Sequence, residues 1–367
     1  MTYQRKLSLA VAAASLTLAA AAVQANEVRV YNWSDYIGED TLERFTAETG
    51  IEVVYDVYDS NEVLEAALLS GRSGYDVVIP SNHYLVRQLA AGVYGELDHD
   101  RLPNIVNLDP TLLAQLENVD PGNHYSIPYM WGTNGIGYNV GRVEEILGED
   151  APVDSWALIF DPEVTAALHE GGCGISMLDS GDEMLPAAMA YLGLDPHSTE
   201  AEDIAQAGDT IAAVREHITY FHSSRYISDL ANGDICVAAG FSGDMFQAAD
   251  RAEEADNGVE IAYTIPKEGA ALWFDLMAIP ADAPNPENAH AFINFILEPE
   301  IAAGITEYVL YANPNRAANE YLPEEILGDT SIYPTAEVME KLFVAKPKPL
   351  SAQRVITRTW NRVKSGN

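Results

Sequence analysis

Six places in the sequence gather rings, carboxylates and hydroxyls: Trp33-Ser34-Asp35-Tyr36, Ser81-Asn82-His83-Tyr84, Asp179-Ser180-Gly181-Asp182-Glu183, Phe241-Ser242-Gly243-Asp244, Trp273-Phe274-Asp275 and Tyr311-Ala312-Asn313-Pro314. Lys and Arg are absent from all of them. Such a set suits a cation. A cation entering a closed cleft loses its hydration, and carboxylates and ring faces must replace that water. Rings also cover methylene groups, while carboxylates at both ends of a slot measure the distance between two ammonium groups. The chemistry that fits is binding of an aliphatic diamine or polyamine. Taken singly, each residue also has a purely structural use. Trp33 suits a core, Asp182 or Glu183 a helix N-cap, and Asp244 a first helical turn, where the dipole favours a negative charge.

The surrounding elements alternate between strand and helix. The run Val28-Arg29-Val30-Tyr31-Asn32-Trp33 is β-rich, residues 40–48 are helical up to Gly50, and residues 51–58 make a second strand. Ser60 offers an N-cap to a helix with Val63, Leu64, Ala67 and Leu68 at helical spacing, ending at Gly71. Residues 76–80 form a third strand and Asn82 opens the next helix. This order implies an α/β fold with a parallel sheet flanked by helices. Residues 174–178, 235–241, 261–265 and 276–280 are further buried-strand candidates. In open parallel sheets ligands bind beyond the carboxyl ends of the strands, where several of the ring and carboxylate groups stand.

Rival chemistries find less support. Asp244 and Asp275 could serve an exported hydrolase as acid and base. Yet Gly240-Phe241-Ser242-Gly243 brings its second Gly one residue early for a GxSxG elbow. His169-Glu170 lacks the second His of a zincin, and the run from Gly135 to Gly141 spaces its third Gly wrongly for a dinucleotide loop. Residues 179–183 lack the ligand spacing of a calcium loop. No catalytic residues, metal or cofactor are expected.

The chain has 367 residues, 48% hydrophobic and 21% charged, enough for more than one packed domain. That apolar content excludes disorder, and two Cys exclude a disulfide scaffold. With 20 Lys and Arg against 56 Asp and Glu, the surface repels phosphate backbones, which excludes nucleic acid as a partner. Arg5 and Lys6, the uncharged stretch 7–23 and the small-residue site Val23-Gln24-Ala25 read as a secretory signal peptide spanning residues 1–25. An N-terminal membrane anchor is the alternative. No later segment approaches a membrane span, so an exported, soluble, monomeric product is expected.

Export makes an oxidising compartment, which favours joining Cys173 to Cys236; two buried free thiols are the alternative. The loop so closed holds 62 residues, worth roughly 4 kcal/mol in the chain-entropy model. Without Arg5 and Lys6, the remaining 18 basic residues face 56 acidic ones, a net charge of −38. An acidic surface with six Lys in the whole chain suits concentrated salt. From Lys341 onward there are seven basic residues and no acidic one, a pattern expected of a strap over the acidic body, with a docking surface as the alternative.

The sequence resembles the periplasmic polyamine-binding proteins of ABC importers, most closely the putrescine-binding type. The resemblance spans nearly all of the chain after residue 25 and is most specific in Val30-Tyr31-Asn32-Trp33-Ser34-Asp35-Tyr36-Ile37 and in residues 59–65, 128–131, 220–224, 230–236 and 265–270. It implies a two-lobed type II solute-binding fold, each lobe a mostly parallel sheet flanked by helices, with a hinge between them. The lobes implied are 26–133 plus 255–306 and 134–254 plus 307–367. The resemblance assigns Trp33, Tyr36 and Tyr311 as aromatic walls, with Ser34 and Asp35 beside them, and Ser81 as a polar contact near one amine. Glu183, Asp244 and Asp275 take the role of carboxylates for the ammonium ends; Ser180 and His83 stand at the same strand ends. Cys173 and Cys236 match the family's disulfide. Phe241 stands where Trp is usual, Trp273 where Phe is usual, and His83 replaces a small residue. Beside carboxylates His83 can be partly protonated near neutrality, which would weaken binding of an ammonium group, or neutral, which would let it accept a hydrogen bond. The implied partners are a small cationic polyamine and an inner-membrane ABC permease; spermidine, cadaverine and agmatine stand as alternatives to putrescine.

Overall fold

The computed structural model describes residues 26–366, so the expected signal segment lies outside the described residues. Its strands are β1 (Glu27–Trp33), β2 (Glu52–Tyr58), β3 (Val77–Val78), β4 (Ser126–Asn139), β5 (Ile175–Met177), β6 (Tyr220–Phe221), β7 (Val237–Phe241), β8 (Ile261–Thr264), β9 (Ala271–Ala278) and β10 (Phe343–Val344).

The early elements follow from local chemistry. The helix Thr41–Thr49 stops at Gly50, whose φ of 69° lets its N–H reach back to the Thr46 carbonyl. The helix Asn61–Leu69 starts where the Ser60 hydroxyl accepts the Val63 N–H. β1 pairs in parallel with β2 and β3, so the carboxyl ends of β1 and β3 face the same way.

The sheet is mixed, where a mostly parallel arrangement was expected. β9 runs antiparallel to β3 and β4, and β4 runs antiparallel to β7 and β8, while β5 pairs in parallel with β6 and β7. The cause is β4, a 14-residue strand that changes partners midway. Its residues 126–133 pair with β9, and residues 134–139 lie between β7 and β8. Glycines make the crossing possible by close approach. A Cβ on Gly132 would stand 2.8 Å from the Trp273 ring, and one on Gly137 would stand 2.1 Å from Met245 Sδ.

Two cores flank this crossing. One holds Val28, Val30, Phe45, Ile127, Phe292 and Ile305; the other holds Ile136, Trp156, Ile175, Leu185, Val237 and Met245. By pairing, β1, β2, β3, β9, β10 and residues 126–133 of β4 form a first group of strands, and β5, β6, β7, β8 and residues 134–139 of β4 form a second. β8 pairs with β4 in the second group, and β10 pairs with β9 in the first. The chain therefore changes groups near 133/134, between 265 and 270, and between 345 and 349.

Part of the basic C-terminal segment packs against the second core. In the helix Leu350–Ser365, Ala352, Ile356, Trp360 and Val363 enter the second core. Arg362 pairs with Asp209 and Lys364 with Asp179, each at 2.7 Å. Cys173 and Cys236 form a disulfide, Cα atoms 5.4 Å apart, just ahead of the Ile175–Val237 pair that joins β5 to β7.

Candidate functional site

Between the two groups lies a narrow cavity of about 30 Å³. Of the residues read from sequence, Trp33, Ser34, Tyr36, Ser81, Glu183, Phe241, Asp244, Trp273, Asp275 and Tyr311 line it. No Lys or Arg lines it among the described residues.

Asp275 sits mid-strand in β9 opposite the carboxyl end of β3. Its Oδ1 accepts the Ser81 hydroxyl at 2.6 Å, and Ser81 in turn accepts Asn61 Nδ2 at 2.9 Å. Asp244 occupies the first turn of the helix Ser242–Ala255. Two phenols donate to it, Tyr226 to Oδ2 at 2.5 Å and Tyr311 to Oδ1 at 2.6 Å. Gly243 permits this, since a Cβ there would stand 2.4 Å from the Tyr311 ring. Glu183 lies in the first turn of the helix Gly181–Tyr191, and Asn134 Nδ2 donates to its Oε2 at 2.6 Å. The indole N–H of Trp273 donates to Oδ1 of the same Asn134 at 3.0 Å.

The rings form a continuous wall. Trp33 is pinned through its indole N–H to the Ile79 carbonyl at 3.0 Å, with its ring 6.0 Å from that of Phe241. Phe241 and Trp273 meet edge to face at 5.7 Å. The exchange of Phe and Trp relative to the usual pattern is thus between neighbours, and ring area lost at one is regained at the other. Tyr36 meets Tyr311 at 5.0 Å, and its buried hydroxyl lies near Asp275 without making a hydrogen bond of ordinary geometry. Such a buried polar group is uncommon and calls for a ligand or water.

Burial dominates the electrostatics. It pushes Asp275, Asp244 and Glu183 each up to about 7, although Ser81, the two phenols and Asn134 respectively oppose it. A carboxylate taken from water without a counter-ion holds its proton. Two of the three stand at helix N-termini, where the dipole favours ionisation, and burial still outweighs it.

Three residues expected at the site lie outside the cavity. Asp35 is at its rim, where Arg251 holds Oδ1 at 2.7 Å. The Ser180 hydroxyl donates to Glu62 Oε1 at 3.0 Å. His83 faces a different space, its Nε2 3.7 Å from Glu183 Oε1. Of the two states open to His83, burial favours the neutral one, lowering its pKa to about 4.

Two lining residues escaped the sequence reading, Asn61 and Ser223. Ser223 had a usable signal, since it follows β6 as other site residues follow their strands. Asn61 and Asn134 had none, because each acts through a partner distant in sequence.

The family described as bacterial extracellular solute-binding protein matches residues 40–329. The putrescine-binding periplasmic protein SpuD of Pseudomonas aeruginosa is 56% identical over 339 residues, 92% of each chain. The putrescine-binding periplasmic protein PotF of Escherichia coli is 51% identical, covering 94% of this chain and 93% of that one. Among solved structures, a putative spermidine/putrescine ABC transporter from Listeria monocytogenes aligns with a TM-score of 0.82 at 33% identity, covering 93% of this chain and all of that one. Among the described residues, no helix is long and apolar enough to cross a membrane.

Proposed function

Because the chain belongs to the bacterial extracellular solute-binding protein family, and within it to the periplasmic polyamine-binding proteins of ABC importers, we propose that it captures a diamine, putrescine foremost, and delivers it to an inner-membrane permease. The observation that carries this reading is the trio Asp275, Asp244 and Glu183, buried among rings with no Lys or Arg lining the cavity. Buried carboxylates without counter-ions are costly, and a dication offsets that cost at both ends while rings cover its methylenes.

The geometry suggests an order of events. Asp275, held by Ser81 and Asn61, belongs with Trp33 and Tyr36 in the first group of strands, and takes one ammonium group while the cleft is open. Asp244, Phe241 and Glu183 come from the second group; on closure Asp244 and Phe241 cover the other end, while Glu183 closes on the side of Asp275. Without a cation, closure would bury three carboxylates together, so the ligand's charge is what makes closure favourable. The segments near 133/134, 265–270 and 345–349 would be the hinges. The protein performs no reaction on the diamine, and ATP is hydrolysed elsewhere in the transporter. Residues 1–25 would be the signal peptide that carries the chain to the periplasm.

Calorimetric titration with putrescine, spermidine and Ca²⁺ tests the reading. Binding of putrescine, with the diamine recovered chemically unchanged, is expected. Binding of Ca²⁺ and of neither amine would overturn it.

A further inference from the structure

Behind Glu183 lies a second, smaller cavity of about 20 Å³, lined among others by Asp182, Glu183, His83, Lys346 and Lys348. Glu183 is thus a partition between the two spaces. Its Oε2 is held by Asn134 at 2.6 Å, and its Oε1 lies 3.7 Å from His83 Nε2. His83 is buried, and neither ring nitrogen has a hydrogen-bond partner. Asp182 is already engaged, accepting Tyr84 at 3.1 Å and Gln353 at 2.7 Å through Oδ2.

Lys348 is half-buried on the far side of this partition. Its backbone is restrained from both directions, by Pro347 and Pro349 beside it and by β10 upstream, which is paired to β9. Burial lowers its pKa, and the attraction of Asp182 and Glu183 opposes that shift.

We infer that Lys348, with Lys346 beside it, limits the ligand's length: a fixed positive charge behind Glu183 admits a diamine and turns away a triamine. A diamine ends at Glu183. A third ammonium group continuing past that carboxylate would enter the space that Lys346 and Lys348 line. Like charges meeting in a partly desolvated space repel strongly, and the two lysines supply that charge on the far side of Glu183. The inference rests on the polyamine reading, and deepens it by naming what the inner end of the site excludes.

The test is calorimetric titration of the wild-type protein, Lys348→Met and Lys348→Arg with putrescine and with spermidine. Lys348→Met should raise the ratio of spermidine to putrescine affinity by about tenfold or more, and Lys348→Arg should leave it near the wild-type value. If Lys348→Met melts early, Lys348→Gln takes its place. Normal putrescine binding with an unchanged ratio in Lys348→Met would overturn the inference and leave the polyamine reading intact. An equal shift in Lys348→Met and Lys348→Arg would overturn it too, by assigning the effect to shape. Failure of the wild-type protein to bind either amine would overturn the polyamine reading itself.

Discussion

The Ser81 hydroxyl donates to Asp275 Oδ1 at 2.6 Å across 194 positions of sequence, and Asn61 donates to the same hydroxyl. This relay orients a carboxylate that would otherwise be free to rotate. It also joins three elements, since Asn61 opens a helix, Ser81 follows β3 and Asp275 lies in β9. A bound ammonium group would therefore meet an acid already aimed, with little rotamer freedom left to lose.

Replacing Asp275 by Asn should weaken putrescine binding by about 2–5 kcal/mol, as expected when one partner of a buried charge pair is removed. Titration calorimetry reads this directly. Unchanged affinity would take Asp275 out of the ligand's reach.

Binding should release protons and weaken as pH falls. The three cavity carboxyls are pushed up to about 7 by burial, so near neutrality each is only partly ionised without ligand. A bound dication holds them ionised and lowers their pKa values, so affinity falls as pH drops through about 7 and levels off above it. Titrations in two buffers of different ionisation enthalpy count the protons released. For the ligand-free closed form the sign is opposite. The folded state then binds more protons than the unfolded chain between about pH 4 and 7, so these groups make it less stable as pH rises through that window. Affinity that stays flat from about pH 5.5 to 8, with no buffer dependence, would contradict this account.

Phe241 and Trp273 share one stretch of wall, so their contributions should not add. Trp273→Phe removes ring area and leaves Asn134 Oδ1 without its indole donor, and should cost about 1 kcal/mol or more in diamine affinity. The double variant Phe241→Trp/Trp273→Phe should recover part of that loss. A double-mutant cycle checks it, and strictly additive effects would mean that the rings act separately.

Much of the first group of strands was legible because its signals are local. Ser60 caps a helix three residues away and Gly50 ends one four residues away. The ring and carboxylate groups were legible because they stand at the ends of short hydrophobic runs. β4 was not, since Gly135 and Gly137 open a run that looks like a loop motif and Gly132 carries no strand signal. They are strand positions where Trp273, the Thr264 carbonyl and Met245 leave no room for a Cβ, a fact set wholly by distant residues. The antiparallel pairing of β4 and β9 was hidden with it. The choice between the two states of His83 was out of reach for the same reason, because burial decides it and burial is a property of the assembled fold.

The acidic surface makes a separate prediction. With 20 Lys and Arg against 56 Asp and Glu, like-charge repulsion opposes the compact state, and salt screens it. Raising NaCl from about 0.1 to 1 M should add about 1 kcal/mol of stability, or roughly 2–4 °C in Tm. A melting temperature that stays flat or falls would remove the argument from charge.

The most direct test compares putrescine with n-pentylamine, a chain of similar length in which a methyl group replaces one ammonium group. If carboxylates at both ends of a ring-lined slot hold a dication, pentylamine should bind at least about 100-fold more weakly than putrescine in the same calorimetric titration. Equal affinity for the two would mean that only one end recognises charge, and the account of the cavity would fail.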